Sequence, residues 1–578
     1  MATIIRPTAP KTDAPQIGSD APAPSVLELA LEDLQASKQT WAELPIHERI
    51  DFLDQVKAGI YSIENRWVAA GMQAKGTRPE TVEEGEEWFT ISVVYRYIRY
   101  LRKTFIDIQK RGAPQLPGKL CWKRAGLWQV DLLPANWHDR LALLGVRGEA
   151  WVADTFKGDA PPMAAFYRQE KPVGRVALIL AAGNLPSLMV NDALHKLFVE
   201  GQVVLLKTNP VNAYIGDVLA EAFRALIDRN YIRIVDGGGE IGAQLSQDSR
   251  VDELHLTGSE RTFNAVTYGN GPKGEERRRQ KQPILHKRFT AELGNISPVI
   301  IVPGPWSKRD LRKQAQKIGS WLVPNAGFNC VTPRVLIQMK DWEHRDRLNK
   351  EIASFLDSLD TRKAYYPHAK SLYQEFSQHH PEARRLGSPT DDHLPWTFIP
   401  DLDSEKADEI CFNAEAFLGL FAETGIAARS PVEYIERAVE FTNERLRGSL
   451  CASIIIHPTS LKDPAIARAI DKAIADLRYG SVVVNHWGAL AYYAAIAPWG
   501  AYPGHPQHDI HSGVGKVHNP LMLDEAEKSV LYAPFVSFPD PYMAHASRNY
   551  RYFRQDTRYQ HNPTTWNLIK LLWYAATS

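Results

Sequence analysis

Val173-Gly-Arg-Val-Ala-Leu-Ile-Leu-Ala-Ala-Gly-Asn184-Leu-Pro186 is an apolar run that ends in a glycine-containing turn and then meets a proline. Such a run is too short for a buried helix and too continuous for a half-exposed strand, so Val173 to Ala181 reads as a strand covered on both faces. The pattern repeats downstream. Asn191 to Glu200 has helical spacing, Val203 to Lys207 is again a strand, Ile215 to Leu226 is a helix, and Tyr231 to Val235 is a strand. Ile241 to Gln247 and Glu253 to Leu256 continue the series as helix and strand. Strands alternating with helices predict a parallel α/β sheet, whose ligand groups gather at the carboxyl ends of the strands. Asn184, Lys207 and the turn Thr257-Gly258-Ser259 all fall at such ends.

Gly237-Gly-Gly-Glu-Ile-Gly242 matches G-x-G-x-x-G literally, but one triple-glycine turn satisfies most of that pattern by accident. The phosphate site is therefore assigned to Gly258 and Ser259, where a hydroxyl and a glycine open a helix whose free N–H groups suit an anion.

The chain has 578 residues, of which 44% are hydrophobic, enough for more than one core. Its 68 basic and 67 acidic residues leave a net charge of +1, which excludes a global field for nucleic acid. Four cysteines in this length argue against a disulfide framework and for a reducing compartment. No stretch reaches the roughly 18 apolar residues of a membrane span, and the start lacks a signal-peptide core, so a cytoplasmic location is expected. Three of the four cysteines, Cys121, Cys411 and Cys451, sit among apolar or aromatic neighbours. Cys330 instead lies in the polar turn Asn325-Ala-Gly-Phe-Asn-Cys330-Val-Thr-Pro-Arg334, where a thiolate nucleophile would be exposed.

Upstream, Glu292-Leu-Gly-Asn-Ile-Ser-Pro298 places a carboxylate before a glycine and a strand. Together the two stretches resemble the signatures of the aldehyde dehydrogenase superfamily, approximately E-L-G-G-x-S-P and N-x-G-Q-x-C-x-x-x-R. Asn295 stands where a second glycine is usual, and Phe328 where a glutamine is. Asn413-Ala-Glu415-Ala-Phe-Leu-Gly419 resembles the family's E-x-F-G-P, with Leu418 inserted and Leu420 in place of the proline. Pro498-Trp-Gly-Ala-Tyr502 is similar to its P-F-G-G-Y turn, and Gly183-Asn184-Leu-Pro186 to its W-N-F-P. The resemblance covers roughly residues 40 to 520.

What it implies is an α/β protein with a dinucleotide-binding domain, a catalytic domain and a β-hairpin oligomerisation arm. Residues 1–25, proline-rich, are expected to be a flexible tail. Residues 26–289 would form a helical region and the dinucleotide-binding domain, interrupted by the arm at about 120–170. Residues 290–500 would be the catalytic domain and 501–578 an extension. The resemblance makes Cys330 the nucleophile, Glu292 the base and Asn184 an oxyanion donor. Lys207, Gly258, Ser259 and Glu415 would hold NAD or NADP, and Pro210, where an NAD-selecting glutamate is common, leaves that choice open.

The implied reaction is oxidation of a small-molecule aldehyde to its acid through a thiohemiacetal and a thioester, in a homodimer or homotetramer. Acyl transfer to coenzyme A, in the manner of acyl-CoA reductases, is the first alternative. A fold kept for binding with an inert thiol is the second. No metal site is assigned; His505, His508, Asp509 and His511 read as a loop. The acidic run Glu80 to Glu87 is expected to be a solvated turn and helix start, and the basic stretch 270–288 a surface loop. The aromatic tail ending Trp566-Asn-Leu-Ile-Lys-Leu-Leu-Trp-Tyr574 is expected to pack on the core or a partner, with interfacial membrane contact as the lesser alternative.

Overall fold

The computed structural model describes residues 25–124, 126–155, 160–537 and 540–577, the side chains of 121–124 excepted; the proline-rich segment expected to be a tail lies outside them. The described chain forms two compact units. One comprises residues up to Gly71 with Ile98–Pro114 and Ala164–Thr290; the other comprises Met72–Tyr97, Gln115–Met163 and the chain from Ala291 onward.

The first unit is built on the alternating segment. It contains the neighbouring strands Glu253–Thr257, Val176–Leu180, Val203–Lys207 and Ile232–Val235, in that order. Val176–Leu180 pairs in parallel with the strands on either side of it, Val176 facing Val203 and Ala177 facing Glu253. All three of these strands are buried along their whole length, the burial that a two-sided parallel sheet demands.

The helix expected over 191–200 starts earlier, at Pro186, whose fixed φ suits a first helical position. It then widens into a π-turn at His195–Val199. The helix expected over 215–226 is broken into a 3-10 turn, Pro210–Ile215, and two short helices, Gly216–Ala222 and Arg224–Asp228. The basic stretch is not a plain loop. Gly271–Arg279 is helical, with a proline in its first turn and three arginines in its last, where cations suit the carbonyl end of the helix.

The second unit holds an eleven-stranded sheet. Its parallel centre contains Ser297–Ile301 and Pro333–Met339, the strands that follow the two motifs, which lie next to each other. Leu127–Leu133 and Arg147–Ala153 form the expected hairpin, and Arg147–Ala153 continues the sheet by pairing antiparallel with Ala526–Tyr532.

The acidic run does begin a helix, Val82–Arg111, but beyond the exposed Glu80 it is partly or fully buried. Glu87 is buried against Lys75, and the Glu86 carboxylate accepts from Arg362 at 2.7 and 2.9 Å. Their cationic partners come from elsewhere in the chain and offset the desolvation that would otherwise keep these carboxylates in water.

Candidate active site

Cys330 sits in the short connection between helix Lys308–Leu322 and strand Pro333–Met339. Three successive residues there, Asn325, Ala326 and Gly327, have φ of 53°, 54° and 81°. A left-handed run of this kind is costly for alanine and persists only where its surroundings over-determine it. They do so here. The Asn325 N–H donates to Glu86 at 2.8 Å, and its side-chain amide donates to the Phe328 carbonyl at 3.1 Å. The Tyr365 hydroxyl donates to the Asn325 amide oxygen at 3.0 Å. Arg334, almost fully buried, donates to the carbonyls of Gly327 at 3.0 Å, Asn329 at 3.2 Å and Leu418. Gly327 is obligatory: a Cβ there would lie 2.5 Å from the Gly419 nitrogen.

The thiol at the end of this loop is half-buried and meets Glu292. The Cys330 sulfur donates to Glu292 Oε1 at 3.3 Å, and Trp499 Nε1–H donates to Glu292 Oε2 at 2.8 Å. Burial, and then the charges of Glu292 and Glu415, push the Cys330 thiol well above its ordinary range. The sequence reading starts from a thiolate; burial and the two carboxylates instead favour the neutral thiol, whose sulfur lies 3.3 Å from a Glu292 oxygen. Trp499 is a donor that the sequence reading missed, because its turn was matched only to the family's P-F-G-G-Y, whose phenylalanine has no N–H. Trp487 is another, its indole N–H donating at 2.6 Å to the carbonyl of Val331, next to Cys330.

Glu415 lies close to the same group. A Cβ on Gly294 would approach Glu415 Oε2 to 2.3 Å, so the glycine two residues after Glu292 is what admits this carboxylate. Burial raises the Glu415 carboxyl to about 7, against the opposing pull of Arg334 and the Asn295 N–H. Its Oε1 is buried and, among the described residues, finds no donor. The segment leading to it is fixed by Glu409, which caps helix Ile410–Asn413 and accepts from His380 at 2.7 Å.

The departures from the family signatures have structural roles. Phe328 is buried in an aromatic cluster, stacked on Tyr366 at 5.5 Å between ring centres. Asn295 donates to Ser297 at 2.8 Å and to the Cys451 carbonyl at 3.1 Å, and accepts from the Leu450 N–H. Leu418, the inserted residue, is buried and supplies one of the carbonyls that Arg334 holds. His505 and His511 stack at 4.1 Å, and His511 lies 3.4 Å from Asp509.

In the first unit the other four expected residues gather at one edge of the sheet. Asn184, buried, follows the strand Val176–Leu180, and the Ala182 carbonyl just before it accepts from Asn212 at 3.2 Å. Lys207 ends the neighbouring strand, and desolvation lowers its ammonium pKa against the attraction of Asp236. Gly258 and Ser259 follow the strand on the other side, and Ser259 caps helix Glu260–Tyr268 by accepting from the Thr262 N–H at 3.2 Å. Gly237, with φ of 147°, leads into helix Gly239–Gln247.

Residues 148–364 match the model of the aldehyde dehydrogenase family. An aldehyde dehydrogenase of Craterostigma plantagineum is 26% identical over 189 residues, 32% of this chain and 36% of that protein. The chain thus matches well under two thirds of its curated relative's length. Among solved structures, aldehyde dehydrogenase C from Pseudomonas syringae, complexed with NAD+ and octanal, superposes with a TM-score of 0.58 at 15% identity, over 88% of each chain. A 3,6-anhydro-L-galactose dehydrogenase in complex with NADP gives 0.56 at 13% identity, covering 87% of this chain and 90% of that one. The chain has the fold of the solved aldehyde dehydrogenases, and a part of it, residues 148–364, is similar to the aldehyde dehydrogenase family.

Proposed function

We propose that the protein oxidises an aldehyde to a carboxylic acid with NAD or NADP as the hydride acceptor. The observation that carries this reading is the direct contact of Cys330 with Glu292, whose other oxygen is held by Trp499. A thiol held in its neutral form needs a base at hydrogen-bond distance, and this one has it.

The chemistry runs as follows. The Cys330 proton passes to Glu292 as the sulfur forms a bond to the aldehyde carbon and the carbonyl electron pair moves onto oxygen. Preformed donors stabilise that oxygen, each worth about 3 kcal/mol in comparable sites; the Cys330 N–H and the Asn184 amide are the residues the resemblance assigns. A nicotinamide cofactor, which Lys207, Gly258, Ser259 and Glu415 would hold, would supply the hydride acceptor through which the Cys330 thiohemiacetal becomes a thioester. Once its proton has passed to solvent, Glu292 is again a base. It takes a proton from the water that attacks the thioester carbon, and the carbon–sulfur bond breaks with the sulfur regaining a proton.

The residues present fit the cofactor. The buried, undonated oxygen of Glu415 is an acceptor suited to a ribose hydroxyl. Lys207 and the Gly258–Ser259 helix start supply a cation and backbone N–H groups to sugar and phosphate. Pro210 opens a 3-10 turn with Asn209 as its cap, so no carboxylate at that position opposes a 2'-phosphate. Both NAD and NADP are therefore admitted. Pairing of copies through the hairpin arm belongs to the same proposal, and sedimentation reads it.

The test is a panel of aldehydes with NAD and with NADP, each with and without coenzyme A. Reduced cofactor and free acid without coenzyme A are expected. Turnover only with coenzyme A would replace hydrolysis by acyl transfer, and no turnover with any aldehyde would leave a binding protein.

A further inference from the structure

We infer that the face formed by the short helix Trp137–Ala142 and the C-terminal helix Thr565–Thr577 docks on an anionic lipid surface. The two helices touch, and both lie in the second unit. The C-terminal helix buries Leu568 and Leu571 but turns Trp566, Ile569 and Trp573 outward, at the i, i+3, i+7 spacing of one helical stripe. Trp566 is 63% exposed and Trp573 67%. Beside it Trp137 is 57% and Leu144 68% exposed. Large apolar side chains scattered singly are ordinary, whereas several on adjoining elements mark a surface that something covers.

The charges identify what covers it. Arg140 on the first helix, Lys570 on the C-terminal helix and Arg551, Arg554 and Arg558 on the preceding helix, Asn549–His561, are all exposed. The acids of these three helices, Asp139 and Asp556, are both fully buried, so every exposed full charge on them is positive. In a chain with 68 basic and 67 acidic residues this separation is local.

A second copy docking through the same patch would set these cations against themselves, since a two-fold contact is self-complementary. An anionic bilayer instead meets the arginines with phosphates and takes the indole rings into the headgroup region, where tryptophan is favoured. The helix would lie in the plane of the interface. No helix among the described residues is long and apolar enough to cross a membrane. This inference stands apart from the proposed chemistry.

The experiment is flotation of the full chain with vesicles of phosphatidylcholine alone and of phosphatidylcholine with about three parts in ten phosphatidylglycerol. Recovery with the anionic vesicles, weakened by salt and lowered at least about tenfold in Trp566→Ser/Trp573→Ser, is expected. Both rings are exposed, so the variant should melt with the wild type. Brominated acyl chains should quench the wild-type indole fluorescence, and Trp566→Phe/Trp573→Phe should float yet lose most of that quenching. Absence of flotation overturns the proposal, as does flotation indifferent to both lipid charge and the tryptophan substitutions. If the serine variant dissociates a wild-type oligomer while vesicles capture neither protein, the face belongs to self-association and the proposal falls.

Discussion

Trp499 holds one oxygen of Glu292 at 2.8 Å, which leaves the other turned to the Cys330 sulfur. Trp499→Phe preserves a ring against Tyr492, 5.7 Å away between centres, and removes only the N–H. A hydrogen bond to a charged group is worth about 1.5–3 kcal/mol, so kcat should fall roughly ten- to a hundredfold with little change in Tm. Steady-state kinetics beside a melting curve reads both.

Cys330 should alkylate slowly with iodoacetamide near neutral pH and faster as pH rises, because burial and two nearby carboxylates favour the thiol. Glu292→Gln removes one of those negative charges. The thiol should then ionise more readily and react faster at a given pH, while aldehyde turnover is lost. Mass spectrometry of the labelled peptide separates Cys330 from the buried Cys451.

Glu415 makes a prediction in two directions. Its folded value of about 7 lies above the ordinary 4.5, so the folded chain holds this proton more tightly than the unfolded chain does. The resulting stability is present below about 4.5 and is lost as pH rises toward 7. Glu415→Gln should flatten that decline and raise Tm on its alkaline side. Cofactor binding to the ionised acceptor should release a proton near neutrality and weaken as pH falls, measurable by calorimetry in buffers of different ionisation enthalpy.

Gly327→Ala should destabilise by at least about 2 kcal/mol, because the position combines a left-handed φ with a backbone 2.5 Å from the added carbon. Gly238→Ala is its control. With nothing within 4 Å of an added Cβ, it should change stability by no more than about 0.5 kcal/mol. Thermal unfolding of the two variants checks the contrast.

The parallel sheet was legible because its strands are buried on both faces, and continuous apolar runs such as Val203–Lys207 record that burial directly. Cys330 and Glu292, which the fold brings into contact, could be picked out because each lies in a short signature of its own. What escaped was contact between distant residues. The acidic run looked solvated because Arg362 and Lys75, which neutralise it, stand elsewhere in the chain. Helix Gly271–Arg279 was read as a loop from its charges, although a proline in the first turn and arginines in the last are helix-end signals. The indole donors of Trp487 and Trp499 leave no trace in spacing or periodicity.

The carboxylate of Glu86 grips the loop that presents the sulfur from 239 positions earlier in the chain. A ribosome lays down that grip long before there is anything to hold, and the loop emerges into a partner already made. Assembly of the reactive centre is thereby tied to the correct return of an early helix. A chain in which that helix has gone astray would lack the anchor that sets the Cys330 loop.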